Sequence, residues 1–130
     1  MQTCSALKQD SHDSLCEELL RERAAVLSRA GFAVEDALEK VIKIDRQIEE
    51  KMNELRTRRN DASSQKSLPD QMSIYEEINA IIDQYNTARQ KAEIQYYYFI
   101  VTREALGLRR HETVRQLYQV PPKKKKIQAI

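Results

Sequence analysis

The sequence predicts an all-α protein built around a long antiparallel helical hairpin with coiled-coil-like packing. Three observations lead to this fold class. Apolar residues recur in alternating steps of four and three along two separate stretches. Those stretches are divided by a segment of turn-forming residues, "NDASSQKSLPD". Glycine and proline together number only five in 130 residues and 32% of the residues are charged, which suits long helices.

The first apolar stripe predicts a helix over about 14–60, after a flexible N-terminus over 1–13. Two interleaved heptad series form its seam: Leu20, Leu27, Val34, Val41, Ile48 and Leu55, alternating with Ala24, Gly31, Leu38, Asp45 and Met52. Gly31 either makes room for a large residue of the partner helix or breaks the helix into a short and a long piece. Asp45 is expected to fix the register of the hairpin through a hydrogen bond with Tyr85.

A turn over 61–68 is expected to lead into a second helix over about 69–106, with Pro69 in its first turn. Its seam is Ile74, Ile81, Ala88, Gln95 and Thr102, alternating with Ile78, Tyr85, Ala92, Phe99 and Leu106. Gly107 is expected to end this helix in a left-handed conformation, so the hairpin spans 14–107. The numbers of facing residues should sum to about 126 or about 133, and both registers bring Gly31 within a turn of Phe99.

The C-terminal region predicts a short helix over 108–120, ended by Pro121 and Pro122, and a basic disordered tail over 121–130. Val114, Leu117 and Tyr118 would share one face of that short helix. Together with a short N-terminal helix, it would turn the hairpin into a three- or four-helix bundle.

Near the end of the second helix, in "QYYYFIV", the chain is apolar on every side. Phe99 points into the seam, whereas Tyr97 and Val101 point the opposite way. A single partner helix covers one stripe, so the remainder needs another helix of the chain, or a partner protein, or a second copy in a dimer. The residues predicted to bind such a partner are Tyr97, Tyr98, Val101, Leu108, Val114, Leu117 and Tyr118.

Catalytic chemistry finds no support in the pattern. Asp45 has no second acid or histidine on its face, and neither His12 nor His111 has a companion at metal-ligand spacing. The two cysteines provide no disulfide framework, and the isolated glycines form no phosphate loop. No catalytic residue, cofactor or metal site is therefore predicted. The sequence favours a non-enzymatic coiled-coil module for protein–protein interaction, an adaptor or assembly factor that binds through the aromatic end of the hairpin.

Two alternatives have sequence features of their own. The stretches "LLRERAAVL" and "DALEKVIKIDRQIEEKMNELRTRRN" are similar in pattern to the small helical chaperones of flagellar and type III export, which implies a chaperone function. The run Lys123, Lys124, Lys125 and Lys126 resembles a nuclear import signal and suits non-specific binding of nucleic acid. Residues 108–130 carry a net charge of +6 and the residues before them −4, so a nucleic-acid accessory protein would act through this tail.

The expected location is the cytoplasm, or the nucleus if the organism is eukaryotic. The opening "MQTCSALKQD" lacks a positive flank followed by an apolar stretch, so no signal peptide is predicted. No apolar run approaches the roughly 20 residues that a membrane span requires.

Overall fold

The structure is a computed structural model that describes the backbone of residues 2–60 and 68–128, and the side chains of 9–58 and 71–128. In this part of the chain there are three helices: α1 (Gln2–Asn60), α2 (Leu68–Ala105) and α3 (Glu112–Leu117). The two long helices pack against each other. The all-α helical hairpin is therefore confirmed, while the predicted turn lies outside the described residues except for Leu68, which begins α2.

The first helix is longer than the sequence suggested, because it begins at Gln2 and not near residue 14. With 59 residues against 38 for α2, α1 is longer by about 30 Å at about 1.5 Å per residue. Side chains from residue 9 to residue 26 are all exposed. We call residues 2–26 the free arm, since α2 ends before it could cover them. Nothing in this stretch interrupts a helix, because it contains neither glycine nor proline.

Most apolar residues of the seam between α1 and α2 are buried, and Tyr75 and Ile82, which the heptad pattern placed outside the seam, are buried with them. The larger cluster of the seam joins α1 to α2 and includes Val41, Ile48, Leu55, Ile74, Ile78 and Tyr85. A smaller cluster at the opposite end from the turn consists of Val34, Phe99 and Val114, so all three helices meet there. The two clusters hold the hairpin along its length and fix α3 on its far end.

The helix continues without a break through Gly31, so the alternative that this glycine divides the first helix is wrong. A Cβ atom at this position would lie 3.7 Å from Phe99 Cε2 and 3.6 Å from the Tyr118 hydroxyl. Two aromatic residues, Phe99 and Tyr118, therefore lie beside α1 at this glycine, at distances that leave room for a methyl group. Gly31 lies against Phe99, within the one-turn distance that both registers predicted.

Replacing Gly31 with alanine is expected to raise the free energy of unfolding by about 0.5–1 kcal/mol, because a methyl group fits at van der Waals distance and alanine loses less backbone entropy. The matched control is Gly107→Ala. Gly107 has φ +88°, and alanine there is expected to destabilise by about 1–2 kcal/mol. Urea unfolding measures the free energy of unfolding of both variants. A less stable Gly31→Ala variant would show that the space beside Gly31 is too small for a methyl group.

Helix α2 ends as expected, with Gly107 in the left-handed region. The Leu108 amide donates to the Arg103 carbonyl at 2.9 Å, and the Gly107 amide donates to that of Glu104 at 3.0 Å. These two bonds form a Schellman motif, which satisfies carbonyl groups at the end of the helix.

The third helix is shorter than the predicted 108–120, and a buried histidine lies directly before it. His111 precedes α3 and is 8% exposed. Arg103 Nε donates to its Nδ1 at 3.3 Å, so the proton lies on Nε2, which donates to Glu104 at 3.1 Å. A further bond runs from Arg103 Nη2 to the Arg110 carbonyl at 2.9 Å. These contacts hold residues 108–111 as a connector against α2.

Residues 119–128, which we call the C-terminal segment, differ from the predicted disordered tail. They have no helix or strand and lie along α2, held by side chains of that helix. The basic run is therefore part of the folded structure, and Ile127 packs against the larger core cluster.

Candidate functional site

The side of α2 that faces away from α1 carries the clearest candidate for a binding surface. Ile94, Tyr97, Tyr98 and Val101 are 44%, 64%, 58% and 43% exposed. Their spacing of three, four and seven residues places them on one face of the helix. At about 100° per residue that face is opposite Phe99, which points into the seam. We call these four side chains the aromatic stripe.

The aromatic stripe combines apolar area with polar groups at its edge. The rings of Tyr97 and Tyr98 are neighbours, with centroids 6.2 Å apart and planes tilted by 56°. Gln90 and Glu93 border a shallow depression beside them. Glu93 accepts a hydrogen bond from Arg89 Nη1 at 2.9 Å. An apolar centre with a polar rim is the usual composition of a protein-binding surface.

Five of the seven residues predicted to bind a partner face solvent: Tyr97, Tyr98, Val101, Leu108 and Leu117. The other two do not. Val114 is 7% exposed and belongs to the smaller core cluster. Tyr118 is half-buried, its ring lies 5.6 Å from that of Phe99, and its hydroxyl donates to Glu35 at 2.7 Å. These two side chains hold the C-terminal region on the hairpin, which removes them from the partner-binding set.

The free arm carries exposed apolar residues, one of which the heptad pattern assigned to the seam. Leu20 was assigned to the seam, but it is 64% exposed. The other exposed members are Leu15, Leu19 and Val26. The length difference between the helices explains this, because the heptad pattern does not show where α2 stops covering α1.

Asp45, the polar interruption of the seam, does not pair with Tyr85 as expected. Its Oδ1 lies 2.6 Å from Lys124 Nζ in the C-terminal segment. Tyr85 donates instead to the Pro122 carbonyl at 3.1 Å. Its ring also lies under the Lys124 amine, 5.1 Å from ring centroid to nitrogen. The polar seam residue thus forms an ion pair with the C-terminal segment and not a hydrogen bond with the second helix.

The four adjacent lysines divide into two groups. Lys124 pairs with Asp45, and Lys126 Nζ lies 3.4 Å from Asp83 Oδ2. Lys123 and Lys125 face solvent. When the C-terminal segment is docked, two of the four lysines therefore pair with acidic residues of the hairpin.

Alkaline pH is expected to weaken this docking. The hydrogen bond to Asp45 raises the pKa of Lys124 above its ordinary 10.5, and burial raises the pKa of Tyr85 above 10.0. A group whose pKa is raised by folding stabilises the fold below its unfolded pKa, and loses that contribution as pH rises through the folded value. Stability should therefore fall above about pH 10.5, less steeply in Lys124→Met than in Lys125→Met. Equal slopes in urea unfolding would contradict this.

The described residues provide neither a metal-binding group nor a membrane-spanning helix. Among the side chains that the structure describes, no three histidine, cysteine, aspartate or glutamate residues gather as a metal-binding group. Cys16 Sγ lies 3.7 Å from His12 Nε2 on the exposed free arm, as an isolated pair. No described helix contains a stretch apolar enough to cross a membrane.

The chain matches no protein-family model, and comparison with curated proteins and with solved structures gives no match. The aromatic stripe is therefore a candidate site on the basis of its exposure and residue composition alone.

Proposed function

We propose that this protein is a non-enzymatic helical interaction module, an adaptor or assembly factor, which binds its partner through the aromatic stripe of α2. The observation that supports this proposal is the exposure of Ile94, Tyr97, Tyr98 and Val101 on the side opposite the seam. Helix α3 lies at the same end of the hairpin. It packs against Phe99 in the seam, so it does not cover the aromatic stripe.

The spacing of the stripe indicates how a partner would bind. Side chains at i, i+3, i+4 and i+7 are the anchors by which one helix enters an apolar groove or pairs with another helix. Tyrosine suits such a surface, because its ring is buried while its hydroxyl keeps a polar contact at the rim. Burial of apolar area contributes about 25 cal/mol per Å². A partner with an apolar groove or an amphipathic helix fits this surface.

Replacing Tyr97 and Val101 together by serine tests the proposal. We expect partner capture or self-association to weaken by at least about tenfold, since truncation of central anchors commonly costs about 1.4 kcal/mol or more. The free energy of unfolding should change little, because neither side chain contributes to the core. Affinity capture and sedimentation of the full chain measure the two forms of association.

The matched control replaces Phe32 and Ile42 by serine. These are also one aromatic and one β-branched residue, 63% and 52% exposed on α1. This variant is expected to keep full association. Unchanged association in the Tyr97/Val101 variant, or equal loss in both variants, would argue against the aromatic stripe as the binding surface.

The two alternatives relate differently to this surface. An export-type chaperone would also be an interaction module, and would differ in the identity of its partner. Action on nucleic acid through the tail receives less support, because Lys124 and Lys126 lie beside Asp45 and Asp83 when the segment is docked.

A further inference from the structure

The C-terminal segment is held mainly through its backbone, by two asparagines of α2. Asn86 Nδ2 donates to the Lys124 carbonyl at 2.9 Å, and its Oδ1 accepts from the Lys124 amide at 3.0 Å. Asn79 repeats this arrangement with Ile127, at 3.0 Å and 2.9 Å. Each side-chain amide therefore satisfies both backbone groups of one residue, as a neighbouring β-strand would.

The spacing of the asparagines matches the repeat of an extended chain. Asn79 and Asn86 are seven residues apart, which is about 10.5 Å along a helix. Lys124 and Ile127 are three residues apart, which is about 10 Å in an extended chain. The segment runs antiparallel to α2, so each asparagine lies beside the residue to which it is bonded.

Two further contacts extend the same pattern toward Pro121. Arg89 Nε donates to the Pro121 carbonyl at 2.7 Å, and Tyr85 donates to that of Pro122. A proline carbonyl accepts hydrogen bonds like any other, while the ring keeps the backbone extended. All of these contacts recognise main-chain atoms, so they do not depend on the side chains of the bound segment.

Three side chains of the segment also contact the hairpin. Lys124 reaches Asp45, Lys126 reaches Asp83, and Ile127 packs on the larger core cluster. These residues define a pattern of lysine, any residue, lysine and an aliphatic residue.

We propose that the groove formed by Asn79, Tyr85, Asn86 and Arg89 with Asp45 and Asp83 is a binding site for an extended basic peptide. The C-terminal segment is its built-in occupant. A peptide with two lysines separated by one residue, followed by an aliphatic residue, binds the same site when that occupant is released. This site is separate from the aromatic stripe and does not depend on the proposed function.

The occupant is suited to exchange. Its polar contacts are hydrogen bonds and ion pairs in contact with solvent, each of which is individually weak. Its attachment to α3 gives it a local concentration on the order of millimolar, so an external peptide is excluded while the segment stays docked.

The test uses the full chain with Lys124→Glu and Lys126→Glu, which place carboxylates beside Asp45 and Asp83 and release the segment while the groove stays intact. The probe is a fluorescent synthetic peptide with the sequence of residues 119–128. In an anisotropy titration at physiological salt, we expect this variant to bind the peptide saturably and at least about tenfold more tightly than the unaltered chain.

The charge-matched control is the full chain with Lys123→Glu and Lys125→Glu, whose outward-facing positions leave the segment docked. It should bind the peptide no more tightly than the unaltered chain. Adding Asn79→Ala and Asn86→Ala to the Lys124/Lys126 variant should remove binding. No binding by the released variant, equal binding by both charge-matched variants, or binding that survives loss of the asparagines would each overturn the proposal.

A second pair of variants keeps the test independent of charge reversal. Lys124→Ala with Lys126→Ala removes the ion pairs without adding repulsion, and should also increase peptide binding, with the same dependence on the asparagines. Its control is Lys123→Ala with Lys125→Ala. Circular dichroism checks that each variant keeps its helices.

Discussion

Replacing Phe99 by alanine is expected to lower the free energy of unfolding by about 3–5 kcal/mol. Phe99 is 7% exposed and lies at the junction of the three helices, with Val34 of α1 and Val114 of α3. Its removal leaves a cavity beside the Gly31 backbone. The variant also loses the edge-to-face contact with Tyr118 and the cation–π contact with Arg103.

The adjacent residue provides the control for this prediction. Tyr98→Ala removes an aromatic ring of similar size, but that ring is 58% exposed on the aromatic stripe. Its effect on the free energy of unfolding should stay within about 1 kcal/mol. Urea unfolding of both variants, followed by circular dichroism, measures the difference. Similar losses for the two neighbours would contradict the described orientation of α2.

Replacing both Asn79 and Asn86 by alanine is expected to release the C-terminal segment while the hairpin stays folded. Four hydrogen bonds to the segment are lost, which at about 0.5–1.5 kcal/mol each contribute about 2–6 kcal/mol together. The undocked fraction should therefore rise roughly 30-fold to 10⁴-fold. Trypsin cleaves after lysine in an accessible chain, so cleavage within 123–126 should accelerate by a similar factor where opening is fast.

Gln84→Ala with Gln90→Ala is the matched control, since both are exposed amide residues of α2 with no described bond to the segment. This variant should be cleaved at the rate of the unaltered chain. Equal cleavage rates in the asparagine and glutamine variants would show that the segment is held by other contacts, or is free in both.

The hairpin was predictable because its cause is local and repeated. A seven-residue apolar period requires a helix with one covered face, and turn-forming residues between two such periods require a reversal. Gly107 was predictable for a similar reason, since a glycine after the last seam residue supplies the left-handed cap. The exposure of Tyr97 and Val101 also follows from counting around the helix from Phe99.

The C-terminal segment was not predictable in the same way. Its docking depends on asparagines that recognise backbone atoms, which leave no apolar period in the segment. Two features of the hairpin pointed to it nonetheless. Asp45 is a polar residue in an otherwise apolar seam, and Asn79 and Asn86, both weak helix formers, stand one heptad apart. The length of the free arm was not predictable either, because the sequence does not show where α2 stops covering α1.

The most direct test of the central claim is site-specific photo-crosslinking in the cell that makes this protein. A photo-reactive phenylalanine derivative replaces Tyr97 in the full chain, and in a second chain it replaces Ile42, which is exposed on α1. If the aromatic stripe is the binding surface, illumination yields a discrete adduct from position 97 and none from position 42, whether the captured partner is another protein or a second copy. Absence of an adduct at position 97, or the same adducts from both positions, would contradict the account.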